Sequence, residues 1–225
     1  MNRSRVLPAA ASFAAAAALL LTGCGGGDKG SGNDKIAGAD GGGAEKTAAP
    51  SKPATIKTPD INRPDLKLPG DVNYAFASSH VTDPDQAAAL ADAKNFILAI
   101  EHGIIKQNKD DGAFKFYSEF QSPAQEYARD QIAQSVNEGM TDIGERKYYD
   151  PKVQPVKNSK SVVVTFCSDG SKFYSKIVKS GKVLRTTKSV KDYYFWQIGM
   201  TAADGVHGLW RAKEINVKGE ATQCM

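Results

Sequence analysis

Lys191-Asp-Tyr-Tyr-Phe-Trp-Gln-Ile-Gly-Met-Thr-Ala202 carries a strong strand signal. Four aromatic residues in a row, then Ile198 and Met200, fit a long strand buried on at least one side. Alternation puts Tyr193, Phe195 and Gln197 on one face and Tyr194, Trp196 and Ile198 on the other, and leaves open which face is inward. Similar strand signals lie on either side: SVVVTFCS (161–168), KFYSKIVK (172–179) and GLWRAKEINV (208–217). Turns are marked by Ser168-Asp169-Gly170, Ser180-Gly181 and Asp204-Gly205. Strand character begins near Arg146.

Upstream the period changes to that of helices. Asp83 caps, Pro84 suits the first helical position, and Leu90, Ala93, Ile97, Ile100 and Ile104 share one face. Ser122-Pro-Ala-Gln125 forms a capping box ahead of Ala128, Ile132 and Val136. Between these helices, GAFKFYSEF (112–120) forms a short one. Helices first and strands afterwards predict an α+β domain over 71–225: about three N-terminal helices packed on a curved antiparallel sheet of about four strands.

This order of elements, with the late strand YYFWQIGM and the closing strand LWRAKEINV, resembles the cone-shaped nuclear transport factor 2-like superfamily. The resemblance implies a hollow between helices and sheet. Tyr148, Tyr193, Phe195 and Trp210 are its candidate lining, with His207 at a rim; the alternative is that these aromatics are simply core. Fold alone assigns no activity.

The N-terminal segment sets the compartment. Arg3 and Arg5 precede the apolar stretch 6–21, which is the order of an export signal and too short for the roughly 20 residues that span a bilayer. Leu21-Thr22-Gly23-Cys24 then resembles the lipobox of bacterial lipoproteins. That resemblance implies a signal peptide over 1–23, a diacylglyceryl anchor on Cys24 and a site at the extracytoplasmic face of the cell membrane. Two acyl chains give stable anchoring where one does not. With Cys24 lipidated, Cys167 and Cys224 remain as a disulfide pair in an oxidising compartment. The region CSDGSKFYSKIVKSGKVL with a distant final cysteine is also similar to small lipoproteins of high-GC Gram-positive bacteria.

Residues 24–70 form a glycine-rich and then proline-rich linker without aromatic residues or periodicity, with a random-coil dimension of roughly 35–40 Å. It lifts the domain off the membrane.

Charge is divided along the domain. Residues 71–145 hold 13 acids and 5 bases, and residues 146–225 hold 15 bases and 6 acids. Lys172, Lys176, Lys179, Lys182, Arg185 and Lys188 are a candidate face for an anionic wall polymer, lipid headgroups or an acidic envelope protein, unless they serve solubility alone. Nucleic acid is disfavoured, since aromatics are not interleaved with the bases and the chain is read as exported.

No catalytic set stands out. His80 and His207 lie in polar segments, His102 is expected on the solvated face of its helix, and no two histidines have metal-ligand spacing. Asn108 to Glu119 resembles a calcium loop, but Gly112 falls one position too early. Neither a nucleophile elbow nor a phosphate-cradling loop is present. The expectation is a non-catalytic binding or assembly module without cofactor or metal. Capture of a small apolar ligand in the hollow is the alternative, and an isomerase or dehydratase follows behind; oligomeric state stays open.

Overall fold

The computed structural model describes residues 61–225. Cys24, the signal segment and the first part of the linker lie outside the described residues. In chain order the elements are β1 (Val72–Phe76), α1 (Pro84–Ile105), α2 (Gly112–Tyr117), α3 (Pro123–Glu138), β2 (Met140–Pro155), β3 (Ser161–Ile177), β4 (Val183–Leu184), β5 (Tyr193–Ala202) and β6 (Trp210–Gly219). The sheet order is β1-β2-β3-β5-β6, with β4 paired to the end of β3. Among the described residues no helix is long and apolar enough to cross a membrane.

The α+β class and the three helices are as expected; the sheet differs. It has six strands, and it is mixed, because β1 precedes the helices and pairs parallel with β2. Val72, Tyr74 and Phe76 are the alternating apolar positions that make this short segment a strand. The two predicted strands 161–168 and 172–179 are one strand, β3. Ser168-Asp169-Gly170 is not a hairpin turn. The register with β2 runs from Lys147↔Asp169 to Glu145↔Lys172, so β3 carries one extra residue there. This bulge reverses which side chains face the helices: Val162, Val164, Phe166 and Ser168 point inward before it, and Phe173 after it. Opposite lies Gly144, at φ +104°, where a Cβ would run into the Lys172 carbonyl oxygen. A second bulge, at Asp150-Pro151 in β2, falls between Tyr149↔Cys167 and Lys152↔Thr165. Bulges bend a strand, which curves the sheet around the helices.

The helix caps form as the sequence predicts. Asp83 accepts from Gln86 N and Ser122 from Gln125 N. The second half of the Ser122 box differs: the Gln125 side chain accepts from Gln121 N. Asp111 caps α2, which makes the calcium-like stretch a helix connection. Gly103 lets α3 approach α1, since a Cβ there would lie 2.5 Å from Ile132 Cδ1.

The core fills the space between α1, α2 and α3 and the inner face of the sheet. Inward residues of β5 are Trp196, Ile198 and Met200, with Trp196 Nε1 donating to Ser168 Oγ at 3.0 Å. On the outer face the Cys167–Cys224 disulfide closes a separation of 57 residues and packs with Tyr193 and Phe195. Tyr149, outward on β2, donates to the Cys224 carbonyl.

The ordered structure reaches back before Asp71, into residues assigned to the linker. Leu66 packs on the core, and Arg63 forms a two-pronged pair with the fully buried Asp92 of α1 and donates to Gly208 O at 3.1 Å. Two anchors in a proline-rich stretch leave no periodic trace in sequence.

Candidate functional site

Between α1, α3 and the sheet lies a cavity of about 190 Å³. Tyr74 of β1, Glu101 of α1, Tyr127 of α3, Asp142, Arg146 and Tyr148 of β2, and Tyr194 and Trp196 of β5 line it. Half-buried Gln131 and Ser135 line it as well. Two segments meet here: the acidic half of the chain supplies both carboxylates, and the basic half supplies Arg146.

Glu101 is the centre of the arrangement. It follows Ile97 by four residues and precedes Ile104 by three, so it sits within the apolar stripe of α1 and is carried into the interior, 2% exposed. Tyr74 Oη donates to Glu101 Oε2 at 2.6 Å. Glu101 Oε1, Arg146 Nε and Tyr148 Oη are buried and have no hydrogen-bond partner. Native interiors rarely leave polar atoms in this state, since each costs roughly 1–3 kcal/mol.

The electrostatics follow from this placement. Burial, reinforced by the negative charge of Asp142, pushes the Glu101 carboxyl up to about 8; the Tyr74 bond and Arg146 oppose the shift. Burial likewise raises Asp142, with Arg146 opposing. Burial works against the charge of Arg146, but Tyr74, Tyr148, Glu101 and Asp142 outweigh it and hold the guanidinium charged. That guanidinium lies 4.3 Å from the ring centre of Phe173. Burial raises the Tyr127 phenol to about 12, and raises Tyr148 further.

The predicted hollow residues divide. Tyr148 lines the cavity and stacks on Phe76 at 4.7 Å and on Tyr74 at 5.6 Å. Tyr193 and Phe195 lie on the outer face against the disulfide, because it is Tyr194 and Trp196 that point inward. Trp210 and the exposed His207 border a different, open groove of about 660 Å³ at one end of the sheet. Asp204 is exposed at the same turn. His102 is not on a solvated face: its Nδ1 is buried and lies 3.2 Å from Asp111 Oδ2. Among the described residues no group of three or more His, Cys, Asp or Glu side chains could hold a metal ion.

Lys172 and Arg185 border a shallow outer depression with Tyr174, on which Arg185 stacks at 4.8 Å, and Lys176 pairs with Asp71 at 3.2 Å. Lys179 and Lys182 are exposed at the turn before β4. Lys188 lies over Tyr193, 5.5 Å from the ring centre.

No family model and no curated protein matches the chain. Among solved structures it is similar to a nuclear transport factor 2-like superfamily protein from Salmonella enterica serovar Typhimurium, at 11% identity and a TM-score of 0.42, over 62% of this chain and 93% of that one. The intermembrane space region of the chloroplast protein ARC6 is similar at 9% identity and a TM-score of 0.35, over 58% and 96%. CagV, a VirB8 homolog of the type IV secretion system of Helicobacter pylori, is similar at 12% identity and a TM-score of 0.32, over 58% and 98%.

Proposed function

We propose that the chain is an extracytoplasmic binding module, tethered to the membrane through Cys24, whose nuclear transport factor 2-like domain captures a small molecule in the cavity around Glu101. One observation carries this reading: Glu101, Arg146 and Tyr148 line one internal space, and Glu101 Oε1, Arg146 Nε and Tyr148 Oη each lack a hydrogen-bond partner. A ligand offering one donor and one or two acceptors would satisfy all three. The lining is polar at these points and largely aromatic and aliphatic elsewhere, which favours a polar ligand with an apolar part over the purely apolar one expected from sequence. The test is native mass spectrometry of the lipoprotein extracted from its own membrane. A stoichiometric small adduct, lost in Glu101→Gln, supports the reading; a bare wild-type chain opposes it.

A second reading, an assembly surface for an anionic partner, draws on exposed Lys172 beside the Arg185–Tyr174 stack. Lys176, Lys179 and Lys182 extend it along the same end of the sheet, and Lys188 lies apart from it. Charge reversal at Lys172 and Arg185 should weaken retention on anionic vesicles or isolated walls. Unchanged retention removes this surface.

A further inference from the structure

The geometry points to a small organic cation, an ammonium compound that also carries a hydrogen-bond acceptor, as the occupant of the Glu101 cavity. This rests on the reading of that cavity as the binding site and goes further by naming the chemical class.

Three features converge on it. The first is charge. Arg146 supplies one positive charge against the two carboxylates Glu101 and Asp142, so with both acids ionised the lining is left with one uncompensated negative charge. A monocation completes the balance, whereas an anion adds a second unbalanced negative charge. The second is the wall. Five aromatic residues, Tyr74, Tyr127, Tyr148, Tyr194 and Trp196, are among those lining one small space. Rings around a desolvated cation attract it through their quadrupoles, and this suits alkylated ammonium groups, which lose little hydration. The third is the set of unused polar atoms. Glu101 Oε1 accepts from, or pairs in charge with, the ammonium end; Arg146 Nε and Tyr148 Oη donate to the acceptor end.

Size limits the ligand. An engineered cavity of about 150 Å³ holds benzene, so about 190 Å³ takes a molecule of that scale or slightly larger. A side chain of a protein partner or a lipid tail is excluded by the same measure only where it must enter whole; a free small molecule is the occupant proposed.

The arrangement also predicts proton release. The groups facing Glu101 are Tyr74 from β1, Asp142, Arg146 and Tyr148 from β2, Tyr127 from α3 and Tyr194 from β5. With the carboxyl raised to about 8, a cation arriving near neutral pH expels the Glu101 proton. Affinity therefore rises with pH and levels off above about 8.

The experiment is isothermal titration of the full chain with choline, ethanolamine, acetate and 3,3-dimethyl-1-butanol, the last being the uncharged isostere of choline. Choline or ethanolamine should bind at least about tenfold more tightly than the neutral isostere, and Glu101→Gln and Asp142→Asn should each remove about tenfold or more. Tyr149→Phe, on the outer face, should leave binding unchanged. Equal binding of the neutral isostere, or preference for acetate, overturns the cation assignment and leaves the cavity as a binding site. Absence of binding by either cation also overturns the assignment, and the native adduct then decides separately whether the cavity reading stands. Melting curves of both variants confirm that lost affinity is not lost fold.

Discussion

Asp92 and Glu101 are both buried acids on α1, nine residues and two and a half turns apart, and they end in opposite states. Asp92 receives both prongs of Arg63, the Trp210 backbone N–H at 2.9 Å and Asn95 Nδ2 at 3.3 Å. Its bonding capacity is used, and it fastens the N-terminal segment and the start of β6 to the helix. Glu101 receives Tyr74 on one oxygen and nothing on the other. Burial of an acid is therefore not the mark of a site here; capacity left over after burial is. The same helix carries a staple at one end and an open set of partners toward the other.

That contrast can be tested first by weakening the fold while leaving both acids in place. Replacing Cys167 and Cys224 with alanine opens a 57-residue separation and should cost about 4 kcal/mol in denaturant titration by the chain-entropy model. Ligand affinity measured well below the melting transition should not change. Next in size is the staple itself. Asp92→Asn leaves Arg63, which is 32% exposed, and the buried Trp210 N–H poorly matched, for a loss of about 2–4 kcal/mol. Affinity of the folded fraction should again hold.

At the other acid, Glu101→Gln should have an effect that changes with pH. The folded carboxyl is raised from 4.5 to about 8, so the folded state binds more protons than the unfolded state between those values. Wild-type stability from this group is present below about pH 4.5 and falls as pH rises toward 8. The amide has no such slope. The variant should lie within about 1 kcal/mol of wild type near pH 6 and exceed it above pH 8, by urea melts at both values. The smallest effect belongs to Tyr148→Phe. Its buried phenol oxygen has no partner to lose, so stability should rise, by about 1 kcal/mol, while affinity falls.

Much of this fold is written in local signals. The capping residues Asp83 and Ser122 and the aromatic run at 193–196 announce their elements without help from distant contacts. What the sequence hides is long-range. The extra residue in β3 makes Ser168-Asp169-Gly170 read as a turn, although pairing with β2 carries the strand through it. Which side of β5 faces inward depends on where the helices lie, so Tyr193 and Phe195 could not be told from Tyr194 and Trp196. Of the lining, only Tyr148 is among the residues expected from sequence; the acid at 101 inside an apolar stripe and Arg146 amid strand residues are the signals that point to the rest. Their meeting with Asp142 and Tyr74 depends on the parallel pairing of β1 with β2, which short segments do not reveal.

The most direct measurement is a high-resolution crystal structure of the full chain purified from its native source. Non-protein density is expected in the cavity within hydrogen-bonding distance of Glu101 Oε1 and Arg146 Nε. A cavity closed by a direct Glu101–Arg146 ion pair, with no space beside it, would contradict this expectation.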